Sequence, residues 1–86
     1  MAAKEIKIEW DRNAMDCIEG RVFFVNKTLG KTYMMSISGG LEEKVLKAKA
    51  RIKADLPIRA AEFLKSHQGW EQVDRTAYEN VNHFIR

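Results

Sequence analysis

Residues 21–38 of this 86-residue chain read RVFFVNKTLGKTYMMSIS, in which two apolar segments flank a short polar one. Both segments are rich in β-branched and aromatic residues, which favour strands. Gly30, near the end of the polar segment, can adopt the positive φ that a tight hairpin loop requires. The stretch therefore predicts a β-hairpin with strands over about 21–27 and 31–38.

The two arms of this hairpin differ in their alternation. The second arm places Tyr33, Met35 and Ile37 on one face and mostly polar residues on the other, which is typical of a strand buried on one side. Residues 22–25 of the first arm are all valine or phenylalanine, so that arm is apolar on both faces. We therefore place the first arm in the centre of an antiparallel sheet, where both faces are sheltered.

A third strand is predicted near the start of the chain. Ile6, Ile8 and Trp10 alternate with charged residues, the period-two pattern of a half-buried strand over about 4–10. Residues 11–19 fit either a short helix or the extension of a strand. We favour a helical turn or loop there.

Helical periodicity follows the sheet segments. Pro57 cannot continue a helix without losing a backbone hydrogen bond, so a second helix is expected to begin there, with Ile58 on its apolar side. Thr76 and Glu79 have the spacing of a capping box at the start of a last helix. The stripe that predicts the first helix consists of Leu41, Val45, Ala48, Ile52 and Leu56.

Strands first and helices last indicate a single small α+β domain over residues 1–86. We predict a three-stranded antiparallel sheet covered on one face by two or three helices. The strands are expected at about 4–10, 21–27 and 31–38, and the helices at about 41–55, 57–68 and 76–86.

The residues that could carry chemistry are few. Cys17, His67 and His83 lie on separate segments with no shared motif, so we predict no catalytic site, metal site, cofactor or small-molecule substrate. A single cysteine excludes an internal disulfide and suits a reducing compartment. No apolar run reaches the length of a secretory signal or a membrane helix, so we predict a cytoplasmic protein with no membrane partner.

An apolar sheet face is the first candidate binding surface. If the helices cover one face only, either Phe23 and Val25 or Val22 and Phe24 would face solvent, together with Met34 from the neighbouring strand. The binding residues we predict are Val22, Phe24 and Met34. An exposed apolar patch usually marks a protein partner or a homo-oligomer. The leading hypothesis is therefore a non-enzymatic interaction module that binds a protein partner or itself through this face. The alternative is that another segment covers the face and completes an ordinary core.

Positive charge marks the second candidate surface. The chain has 15 basic and 12 acidic residues, and between Lys44 and Lys53 it has five basic residues and no acidic one. Such a helix is often only an ordinary solvated surface. The alternative function is a nucleic-acid-binding accessory protein. Its binding residues would be Lys27 and Lys31 at the hairpin tip together with Lys44, Lys47 and Arg51 on the first helix.

Overall fold

The computed structural model of the protein describes residues 6–12, 17–40 and 44–85, with side chains described as far as residue 81. The predicted α+β fold is confirmed. In chain order the elements are β1 (Glu9–Arg12), β2 (Ile18–Asn26), β3 (Lys31–Gly39), α1 (Val45–Ser66), β4 (Glu71–Val73) and α2 (Arg75–Ile85).

The sheet is antiparallel and centred on β2, as the two apolar faces of that strand predict. β3 pairs with one edge of β2 along nine residue pairs, with Val22 opposite Met35. The other edge of β2 is shared, because β1 pairs with residues 18–21 and β4 with residues 23–25. The β2–β3 hairpin turns at Gly30, whose φ is 64°.

The core lies between α1 and one face of the sheet. Ala48, Ile52 and Leu56 of α1 are fully buried, and they pack with Val22 and Phe24 of β2. The interval of four residues between the helical side chains keeps them on one side of α1. The apolar stripe predicted from the sequence is therefore the buried side of this helix, apart from Leu41, which lies outside the described residues.

The second helix packs on the opposite face, so the prediction that all helices share one face is wrong. Phe23 and Phe24 are consecutive in β2 and therefore point to opposite sides of the sheet. The Phe24 ring lies 4.6 Å from the ring of Phe63 in α1, whereas the Phe23 ring lies 4.9 Å from that of Tyr78 in α2. Both faces of β2 are covered, which explains why both are apolar.

α1 is one unbroken helix, and the separate helices predicted at 41–55 and 57–68 are therefore wrong. Residues 41–43 lie outside the described part of the chain. Pro57 removes one backbone donor, but Leu56 and Ala60 on either side of it are fully buried. The packing of these side chains on the sheet outweighs the local penalty of the proline.

The first strand begins later than predicted. β1 begins at Glu9 and not near residue 4, and the apolar side chains of residues 6–8 pack against the core outside any strand. β1 and β2 occupy both ends of segment 11–19, where a helical turn or loop was favoured. Residues 13–16 within that segment are not described.

The last part of the chain differs from the prediction in two details. β4 was not predicted, since its three residues are too few to show an alternating pattern. α2 begins at Arg75, and its cap is Asp74, whose Oδ1 accepts a hydrogen bond of 2.9 Å from the amide of Ala77. Thr76 therefore lies inside the helix and does not cap it.

In the described part of the chain, no helix has both the length and the apolar character needed to cross a membrane.

Candidate interaction surfaces

The predicted apolar sheet face is not open. Val22 is 1% exposed and Phe24 is 0% exposed, because both side chains lie under α1. Met34 is 41% exposed, but it is opposite Phe23 in the strand register and so lies on the other face. The prediction of one surface formed by these three residues is therefore wrong, and of the three only Met34 can meet a partner.

The open feature of the sheet is the outer edge of β3. One edge of this nine-residue strand pairs with β2, and no strand in the described residues pairs with the other. Proteins usually protect such edges with charged residues, proline or a short strand length. Lys31, at the beginning of β3, is its one charged residue, and the strand contains no proline. The edge therefore has little protection against pairing with another strand.

α1 runs antiparallel to β3 above this edge. Arg51 Nη2 lies 3.4 Å from the carbonyl oxygen of Ser38, near the end of β3, and the Phe63 ring stacks 5.0 Å from that of Tyr33, near its beginning. Ile58 follows Arg51 by about two helical turns and so lies on the same flank. The helix rises about 1.5 Å per residue and the strand about 3.4 Å, so Ile58, seven residues after Arg51, is level with the residue about three before Ser38. That residue is Met35, the middle residue of β3.

Exposed apolar side chains collect along this edge. Among the described residues, five large hydrophobic side chains are exposed: Leu29, Tyr33, Met34, Leu46 and Ile58. Tyr33 and Met34 belong to β3, and Ile58 is 58% exposed on the flank of α1 above it. The sequence predicted Ile58 on the inner side of a separate helix. Continuing the helical wheel of α1 through Pro57 would have placed it on this flank.

We call β3 and the flank of α1 above it the β3 edge. Behind it lies a cluster of aromatic rings. Phe63 contacts Tyr33, Phe24 and Trp70 at centroid distances of 5.0, 4.6 and 5.6 Å, and the His67 ring stacks on it at 4.2 Å. Aromatic contacts of this kind hold side chains in fixed orientations. The beginning of β3 is therefore firmly supported from the inner side.

The predicted basic residues do not form one surface. Lys27 and Lys31 lie at the hairpin tip, whereas Lys44, Lys47 and Arg51 lie at the opposite end of β3, about 26 Å away along the strand. The Nζ of Lys27 is also 3.3 Å from Glu71 Oε1, which offsets its charge. The structure thus separates the hairpin lysines from the basic half of α1.

A cavity of about 470 Å³ lies where β1, β4 and the start of α2 meet. Arg75 lines it, and its Nε donates a hydrogen bond of 2.7 Å to Glu9 Oε1 while its guanidinium lies 5.3 Å from the centre of the Phe23 ring. The hydrogen bond to Glu9 is the main cause of a raised pKa at Arg75. The two charges compensate each other, so the cavity presents no unpaired Arg75 charge to a ligand.

Within the described ranges, no group of three or more histidine, cysteine or acidic side chains could hold a metal ion. Comparisons with protein-family models, with curated proteins and with solved structures found no match for this chain.

Proposed function

We propose that this protein is a non-enzymatic interaction module of the cytoplasm that binds a second copy of itself through the β3 edge. The observation that carries the proposal is that three of the five large hydrophobic side chains exposed in the described residues lie at this edge. Tyr33 and Met34 point to opposite faces of the unpaired strand, and Ile58 lies on the flank of α1 above it. An unprotected edge strand offers backbone donors and acceptors to another strand.

The sequence of β3 favours a symmetric antiparallel pair. A two-fold axis at Met35 places Tyr33 opposite Ile37 of the second copy and Lys31 opposite Gly39 of the second copy. A parallel pair in register would instead place the two Lys31 side chains next to each other, which is unfavourable. The strand can therefore pair with a second copy in this arrangement without opposing like charges.

The same axis brings the two α1 helices together. Neighbouring strands lie about 4.8 Å apart, and α1 lies over β2 and β3, so the helices would be about 10 Å apart, a normal packing distance. Since Ile58 is level with Met35, the two Ile58 side chains would meet at the axis. Each could then bury apolar surface that is exposed in one copy.

Charged residues of both signs on α1 would lie near one another across this axis. In an antiparallel pair centred on Ile58, Arg51 is level with Lys65 of the second copy, while Glu62 lies within about 5 Å along the helix axis of Arg51 of the second copy, and Asp55 within about 6 Å of Lys65 of the second copy. Long basic side chains span such distances. The two carboxylates offset the repulsion between Arg51 and Lys65, so the charges permit a second copy at this edge, and the apolar contact at Ile58 favours it.

The experiment measures molar mass by light scattering over a wide range of concentration. We expect the wild type to be a dimer and Ile58→Glu to be a monomer, because the substitution places two like charges at the axis. Leu46→Glu is the matched control, since Leu46 lies on the same helix, is 83% exposed and faces away from the β3 edge. Circular dichroism should show that both variants are folded.

A second variant tests the strand itself. The carbonyl of Ser38 accepts a hydrogen bond from Arg51 on the outer flank of α1, and Ser36, two residues earlier in the strand, presents its backbone groups to the same edge as Ser38. Ser36→Pro should therefore block edge pairing while leaving the β2–β3 pairing intact. A wild type that stays monomeric at all concentrations would contradict the proposal. A dimer that survives both Ile58→Glu and Ser36→Pro would contradict it equally.

A further inference from the structure

We propose that the N-terminal half of α1, residues 44–54, binds double-stranded DNA by lying in its major groove. This inference does not rest on self-association, and of the charged residues that face the second copy it uses only Arg51. It rests on the positions of the basic side chains around α1, which the structure fixes through two contacts on opposite sides of the helix.

Positive charge is concentrated in this half of the helix. It contains five basic residues and no acidic one, and all five are exposed. In the other half, Arg59 lies 3.4 Å from Asp55, and basic and acidic residues are balanced. No ion pair among the described residues involves the lysines of the basic half, which are Lys44, Lys47, Lys49 and Lys53.

The charges lie on both flanks of the helix. Arg51 contacts Ser38 on the β3 side, and Lys47 lies on that flank one turn earlier. Lys49 lies on the β1 side, with its Nζ 5.3 Å from the centre of the Trp10 ring, and Lys53 follows it one turn later. The solvent-facing strip between the two flanks consists of Leu46, Ala50 and Ala54.

This arrangement matches a helix in the major groove of B-form DNA. The groove is about 12 Å wide, admits one α-helix and has a phosphate backbone on each side. Basic side chains on both flanks can reach both backbones, while the alanines in the middle allow the helix to approach the bases closely. Leu46 supplies an apolar side chain of the kind that contacts thymine methyl groups.

Other anionic partners fit less well. Single strands are bound by stacking on aromatic side chains, and residues 44–54 contain none. Duplex RNA has a deep, narrow major groove that a helix cannot enter. An acidic peptide helix would meet one flank only and leave the cations of the other flank unused.

The test is fluorescence anisotropy of a labelled DNA duplex titrated with the protein at several salt concentrations. With about four phosphate contacts, log affinity should fall against log salt with a slope of about −3 to −4. Lys47→Glu combined with Lys53→Glu should abolish binding at moderate salt. The matched control is Lys7→Glu combined with Lys27→Glu, two exposed lysines outside α1, which should change affinity by less than about threefold.

A further variant tests whether the solvent-facing strip of α1 enters the major groove, and it leaves every cation in place. Ala50→Glu places a bulky anion in the middle of the solvent-facing strip and should weaken binding as strongly as the double charge reversal. Absence of duplex binding at low salt would overturn the proposal. Equal effects of the two double charge reversals would also overturn it, as would affinities for duplex RNA and single strands equal to that for duplex DNA, since binding would then follow net charge alone.

Discussion

Replacing Gly20 with alanine should destabilise the protein through a single close approach between β2 and α1. Gly20 lies in β2 on the face that α1 covers. A Cβ atom at this position would lie 2.8 Å from Ile52 Cγ2, 3.0 Å from Ile8 Cγ2 and 3.3 Å from Leu56 Cδ2. The φ of Gly20 is not positive, so the backbone itself accepts alanine. The cost therefore comes from packing alone.

The loss in free energy of unfolding depends on how little the side chains around the new Cβ atom can move. Ile52 is fully buried, and its Cγ2 is attached directly to a β-branched carbon that has few rotamers. Adding atoms to a filled core usually costs about 1–3 kcal/mol. We expect about 2 kcal/mol, which is a large share of the roughly 4–13 kcal/mol that a chain of this length has in total.

Urea denaturation followed by circular dichroism measures the effect. With an m value of about 1 kcal/mol per molar urea, the midpoint should fall by about 2 M. Ile52→Leu removes the methyl group nearest to the new Cβ at little change in volume. The double variant Gly20→Ala with Ile52→Leu should therefore be more stable than the sum of the single effects predicts. Strict additivity, or no loss in Gly20→Ala, would refute the close approach.

Three further changes test other parts of the fold by the same unfolding assay. Phe24→Ala removes a fully buried ring and should cost about 3–5 kcal/mol, and a cost below 1 kcal/mol or so would show that the site is not tightly packed. Asp74→Ala removes the acceptor for the Ala77 amide and should cost about 1 kcal/mol, whereas Asp74→Asn keeps an acceptor and should cost less. Pro57→Ala restores a backbone donor inside α1 and should stabilise the protein by about 1–3 kcal/mol, and a loss would mean that proline suits this position.

The sheet and the buried side of α1 could be predicted because their patterns are local. Alternation over residues 22–25 and 33–37 is visible in the sequence, and so is the interval of four residues in α1. β4 could not be predicted in the same way, because its three residues form a strand only by pairing with β2. The length of α1 was missed for a related reason. The penalty of Pro57 is local, whereas the burial of Leu56 and Ala60 that outweighs it depends on the sheet.

The wrong choice of sheet face has a physical explanation in β2. Both faces of this strand are apolar, so alternation alone could not decide which of them α1 covers. Gly20 could have decided it, because it shares a face with Val22 and Phe24, and a glycine within a strand often marks a close approach of another backbone. Gly20 therefore indicates that the side chains of Val22 and Phe24 lie under α1. With that face covered, the open part of the sheet is the outer edge of β3.

The two proposals divide α1 along its length, and this division makes them separable. Self-association centres on Ile58 and shares only Arg51 with the N-terminal half, whereas DNA binding uses Lys47, Lys53 and the strip around Ala50. Ile58→Glu should therefore produce a monomer whose α1 still binds a DNA duplex. The charge reversals at Lys47 and Lys53 should abolish DNA binding and leave the dimer intact. If each variant abolished both properties, the two halves of the helix would not act as separate surfaces.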